Sequence, residues 1–162
     1  MMYLCLMLFT GLLLAVVGIS IDYGKPTMIS EIYYTAKERG WSLPCWSVPV
    51  LLVVMGGMCL PVMLNIGGFE FAAFLTCAGL MFVGAAPAYL DGDERIIHKT
   101  AAIISAVASV AWGLSVMPLI VLTAAFAAAI AVVNDRRCWL LWCELCALAS
   151  VMAIIVTKTL TA

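Results

Sequence analysis

Charged side chains make up only 10% of this 162-residue chain, and it contains a single histidine. A water-soluble domain of similar length carries about a quarter charged residues. Too little polar surface is present to cover the chain in water, which excludes a soluble globular domain. With a net charge of −1 there is no basic stripe to grip phosphates, so a nucleic-acid partner is excluded as well. One histidine and no His-x-x-x-His pattern argue against a catalytic zinc site. Asp91, Asp93, Glu94 and His98 are close enough in sequence to be weighed as metal ligands, yet they lack the length and spacing of an EF-hand loop. No metal and no cofactor is expected.

What fills the chain instead is hydrocarbon. Hydrophobic residues account for 66% of it and the mean hydropathy is +1.18, so lipid is the expected solvent for most of its surface. The seven cysteines (5, 45, 59, 77, 138, 143 and 146) lie mostly inside apolar runs, where they act as small hydrophobes and not as a disulfide framework. Cys143 and Cys146 form a CxxC that reads as packing residues on a helix.

A spanning helix needs roughly 20 mostly apolar residues. Six segments qualify: Met2–Ile21, Ser47–Ile66, Glu70–Leu90, His98–Met117, Pro118–Val133 and Cys138–Thr157. The expected fold is an all-α, polytopic transmembrane bundle forming a single domain over residues 1–162, with five spans as the alternative because the fifth segment is short. Six spans place Lys25, Lys37, Arg39, Arg95, Lys99, Arg136 and Arg137 on one side and only Lys158 on the other. By the positive-inside rule the charged loops are cytoplasmic and both termini extracytoplasmic. Met2–Ile21 lacks a basic leader and reads as a retained span. Ser47 and Pro49 suit the start of the second span, and Pro61 is expected to kink it. Ala101, Ser105 and Ser109, like Ala124 and Ala128, recur every four residues and predict close helix packing.

Three polar clusters stand out. In "ISEIYYTAKERGW" a short amphipathic helix is predicted, with Ile29, Ile32, Tyr33 and Ala36 along a side facing the bilayer. A second reading turns Ser30, Glu31 and the Tyr34 hydroxyl inward to line a pocket. In "YLDGDERIIHKTAA", Asp91 and Asp93 flank Gly92 in a turn, Asp93 and Glu94 favour the following helix dipole, and His98 begins the fourth span. The third cluster centres on Glu144, seven residues past Arg137 and therefore roughly 10 Å inside its helix. A carboxylate at that depth must face the bundle interior, be protonated or be paired; Arg137 and His98 are the candidate partners. Asn65 with Gly67 and Gly68 predicts a tight turn between the second and third spans. Trp41, Trp46, Trp139 and Trp142 read as an interfacial belt.

The segments "SEIYYTAKER", "LNIGG", "CAGLMFVGAAP" and "HKTAA" carry a resemblance. Over about residues 20 to 110 the chain resembles the small polytopic prokaryotic membrane proteins of domain-of-unknown-function family 998, and more loosely the six-span DRAM-like superfamily. The resemblance implies a prokaryotic inner-membrane location and groups Ser30, Tyr34, Asn65 and His98 in one recurring arrangement. It implies no activity, since that family has none assigned. A more distant likeness is to membrane hydrolases that use a serine, an aspartate and three histidines around zinc. Ser30, Asp91 and His98 match those parts, and the two remaining histidines have no counterpart.

The expected function is therefore binding of a small polar ligand or lipid headgroup in a cytoplasm-facing polar cavity. Its lining is predicted to be Ser30, Glu31, Tyr34, Asp91, Asp93, His98 and Glu144. The alternatives are a proton- or ion-coupled transporter or channel, and an accessory subunit whose apolar faces bind partner spans or further copies of the chain. No complete nucleophile–base set is visible, so no catalytic residue is assigned.

Overall fold

In lipid only a helix pairs every backbone group within one segment, and the described residues take no other regular form. The computed structural model describes residues 2–38, 40, 42–88 and 94–161. Seven α-helices are seen among them: α1 (Met2–Tyr23), α2 (Glu31–Glu38), α3 (Ser42–Ile66), α4 (Glu70–Ala85), α5 (Glu94–Val116), α6 (Pro118–Asn134) and α7 (Trp139–Thr161). Short 3-10 turns, Ala86–Ala88 and Arg136–Cys138, follow α4 and precede α7. Among the described residues four segments are long and apolar enough to cross a membrane: Met2–Asp22, Trp46–Ile66, Ile96–Val116 and Arg136–Thr161. Glu70–Ala85 and Pro118–Asn134 are apolar but shorter.

The start of α3 differs from the sequence expectation. The helix begins at Ser42, about a turn before Ser47, so Pro49 and Pro61 are both interior. A proline removes one N–H and spares the rest of the ladder, and apolar helices tolerate it where neighbouring helices pack alongside. Here α4 is that neighbour. A Cβ built on Gly84 would lie 2.6 Å from the Pro49 carbonyl oxygen, so only glycine permits this approach of the two backbones.

The same device joins α4 to α5. A Cβ on Gly79 would meet the Ala101 carbonyl oxygen at 2.9 Å, and the Ser105 hydroxyl donates to the Thr76 carbonyl at 2.8 Å. The predicted row Ala101, Ser105 and Ser109 thus includes a seam within one chain; Ala101 and Ser109 are buried. Gly67 and Gly68 take φ of 84° and 88° to turn α3 into α4, as their spacing predicts. The fully buried Trp112 of α5 holds this turn, its indole N–H donating to the Gly67 carbonyl at 3.0 Å. Ser115 assists by accepting from the Phe69 N–H at 2.9 Å.

Leu12, Met55, Met63, Trp112, Ile154 and Ile155 form the centre of the core, so α1, α3, α5 and α7 all contribute to it. The flanking helices are greasier outside than in. On α6 only Val121 and Ala128 are buried, while Leu119, Phe126 and Val133 are about 70% exposed. Tyr3, Met7 and Ile21 of α1 are exposed to a similar degree. Contiguous apolar surface of this kind does not suit water and is compatible with a membrane protein.

The apolar stripe predicted on α2 is present but faces elsewhere. Ile29, Ile32, Tyr33 and Ala36 are at most 4% exposed, covered by protein and not turned to a bilayer. Tyr33 meets the ring of Trp46, on α3, edge-on at 5.3 Å between centroids. An eight-residue helix is too short to stand alone, and packing on α3 supplies its stability.

Candidate functional site

Helices α5 and α7 approach closely near one end, and a cavity separates their side chains toward the other. A Cβ on Gly113 would sit 3.2 Å from the Ile154 side chain, which marks the close end. Above it a cavity of about 210 Å³ opens between the faces Ala102–Ser109 of α5 and Leu140–Met152 of α7, backed by α3 and α4. Leu52, Met55, Leu80 and Leu148 are typical of its wall, which is overwhelmingly apolar. Its polar contributors are Ser30, Thr76, Ser105, Ser109 and Glu144.

The open end is closed by residues 24–30, a strap that runs from α1 to α2 along the start of α7. Four contacts fix it. The Lys25 ammonium pairs with Asp135 at 3.0 Å and lies 5.8 Å from the centroid of the Trp142 ring. The Thr27 carbonyl accepts from the Leu141 N–H at 3.0 Å, which satisfies one of the first-turn donors that a helix leaves unpaired. Glu144 Oε2 accepts the Ile29 N–H at 2.8 Å. The hydrogen bond from Lys25 is the main reason the Asp135 carboxyl is held below the usual aspartate range, and the same bond holds the Lys25 ammonium above the usual lysine range.

Glu144 thus finds a backbone partner. The sequence offered Arg137 and His98; Arg137 is exposed, and the described bond of Glu144 goes to Ile29. A half-buried carboxyl that accepts a backbone N–H at an irregular segment needs no cation to be satisfied on that oxygen.

Of the seven residues predicted to line a site, the structure brings two together on the cavity wall, Ser30 and Glu144. Tyr34 is 40% exposed, with its ring against Tyr33, and does not line the cavity. His98 is half-buried in the second turn of α5 and is likewise not part of the lining. Glu31 is the first residue of α2, and its side chain lies outside the described residues. Asp91 and Asp93 also lie outside them, as do Arg39 and Trp41. In this cavity, among the described residues, aliphatic side chains from four helices dominate the wall, with the polar atoms confined to a few points. Among the described residues no group of three or more His, Cys, Asp or Glu side chains is arranged to hold a metal ion.

The wall residues that sequence reasoning missed are Leu52, Met55, Leu80 and Leu148, together with Cys143 at the rim. An apolar residue facing a void looks the same in sequence as one facing a neighbour, so no signal was there to find. Comparison with protein-family models, curated proteins and solved structures returns no match.

Proposed function

We propose that this chain is a six-span inner-membrane protein that holds a small molecule or lipid in the cavity between α5 and α7, with the strapped end toward the cytoplasm. The observation that carries the reading is a side-open cavity of about 210 Å³ between α5 and α7, with Ser30 and Glu144 together at its strapped end. Interiors seldom leave space much larger than a water, and an apolar cavity of about 150 Å³ is already enough to take up benzene. Apolar walls favour the lipid arm of this reading over a fully polar ligand, because a polar molecule would lose its hydration along most of its surface.

The clustering of Lys25, Lys37, Arg95, Lys99, Arg136 and Arg137 at the strapped end, against Lys158 at the other, supports the orientation. Native mass spectrometry of the full chain, released gently from detergent, tests the function. A stoichiometric adduct that disappears when the void is filled by Ala147→Phe is the expected result. A bare chain across several mild detergents would overturn it. Among the described residues the far end of the cavity is walled by Met63, Val151 and Met152, and the polar atoms along it are single hydroxyls already bonded to helix carbonyls. Permeation is accordingly the weaker alternative.

A further inference from the structure

The cavity is open on its flank, and the exposed residues show where. Ile103 and Ala106 of α5 and Cys143 of α7 belong to its lining yet are exposed, Ile103 by 64%. They lie on α5 and α7 one to two turns past the charged residues Lys99 and Arg137. The other routes are obstructed: the strap covers the end of the cavity, Gly113 and Ile154 close its base, and α3 with α4 forms its back. A molecule therefore reaches the void from the side, where the protein presents hydrocarbon.

The polar atoms inside are nearly all acceptors. Thr76, Ser105 and Ser109 each donate their hydroxyl proton to a backbone carbonyl, those of Ala72, Thr76 and Ala106, so their oxygens remain only as acceptors. Glu144 uses Oε2 for the Ile29 N–H, and in its ionised form the second carboxyl oxygen is a further acceptor. Ser30 is different. Its buried hydroxyl oxygen has no hydrogen-bond partner among the described residues, although it sits beside the Ile29 amide that Glu144 holds. A buried hydroxyl left without a partner is destabilising, and a ligand bond would remove that cost.

Resting on the cavity reading above, we infer that the occupant is a single-chain amphiphile with a small hydrogen-bond-donating head, an alcohol or an amine, which enters from the bilayer between α5 and α7 and sets its head against Ser30 and Glu144. One chain suits about 210 Å³ of apolar space better than the two chains of a bilayer phospholipid. A donating head suits a wall of acceptors, whereas a carboxylate head would bring one more acceptor against Glu144. Specificity of this kind is strong because a mismatched head leaves buried polar groups unpaired.

The test is native mass spectrometry of the full chain incubated with four probes that share a dodecyl chain: dodecanol, dodecylamine, dodecanoate and dodecane. The expected result is one-to-one retention of the alcohol, the amine or both, at least about tenfold above the acid and the alkane. Which of the two donors is retained names the head. Ser30→Ala should lower retention of the favoured probe severalfold while leaving the alkane unchanged. Ile103→Trp, at an already exposed position on the rim, should slow uptake without altering the helical circular dichroism. Equal retention of dodecanoate or dodecane, or a Ser30→Ala variant that binds as the parent does, would overturn the inference. If none of the probes is retained but a co-purified adduct persists, the inference fails and the cavity reading stands. If neither is seen, both fail.

Discussion

Replacing Glu144 separates the carboxyl's role as an anchor from its place on the cavity wall. In Glu144→Leu the side chain keeps much of its volume but no longer accepts the Ile29 N–H, now made at 2.8 Å. Ile29 is 4% exposed, so water does not readily replace the lost partner. A buried donor left unsatisfied costs about 1–3 kcal/mol, which corresponds to roughly 5–150-fold in the equilibrium for local opening. Glu144→Gln retains a carbonyl oxygen at the same place and should cost under about 1 kcal/mol. The assay is amide hydrogen exchange of the full chain in detergent, read at Ile29 and along α2. Protection should fall by that factor in the leucine variant, with α2 loosening along with the strap, and remain near the parent value in the glutamine variant. An Ile29 amide equally protected in all three proteins would refute the anchoring role. Equal loss in both variants would show that a hydrogen-bond acceptor is not what holds the strap.

Three further outcomes are expected. Gly84→Ala forces a Cβ to within 2.6 Å of the Pro49 carbonyl oxygen and should cost about 1–3 kcal/mol in thermal unfolding, whereas Gly57→Ala, with nothing within 4 Å, should stay within about 0.5 kcal/mol of the parent. The Lys25–Asp135 pair should make the strap sensitive to pH and salt. With the Asp135 carboxyl held low, its contribution is complete above roughly pH 4 and is lost as the pH falls through its lowered value. With the Lys25 ammonium held high, its contribution is complete below roughly pH 10 and is lost as the pH rises beyond its elevated value. The difference in melting temperature between the parent and Asp135→Asn should therefore be flat between these limits and shrink in acid and in high salt. Finally, a membrane-impermeant maleimide applied to intact cells should modify a cysteine placed at the exposed Asn65 and spare one placed at the exposed Lys37; the reverse pattern would invert the proposed orientation.

The helices were legible in the sequence because apolar runs of sufficient length mark them directly. The turn at Gly67 and Gly68 was legible for a local reason, since two successive positive φ values require residues without a side chain. The stripe Ile29, Ile32, Tyr33 and Ala36 was read correctly as a face, but its partner was not. Periodicity reports that a surface is buried and is silent on whether lipid or protein buries it. Ser42 as the start of α3 was hidden by Pro49, which marks a helix start in water and is admitted inside helices that pack closely. For the site, Ser30 and Glu144 could be singled out because a carboxyl within an apolar helix, and a serine at the start of a polar connection, are conspicuous. Their meeting could not be deduced. What joins them is the amide of Ile29, and a backbone N–H leaves no trace in the identity of its residue. The void itself is lined by α3, α4, α5 and α7 together, and no stretch of any one helix encodes it alone.

The strap has a consequence for the order in which the protein is made. Its two closures run from Lys25 to Asp135 and from Ile29 to Glu144, across 110 and 115 residues. The donor strand of this clasp leaves the ribosome early, and its acceptors arrive only with the final helix. Until α7 has been inserted, the Ile29 amide and the Lys25 ammonium lack these partners, and α2 rests on α3 alone. Completion of the clasp is therefore one of the last events of biogenesis. A chain cut short before Glu144 would carry a loose strap, distinguishable from the finished protein by protease attack at residues 24–30.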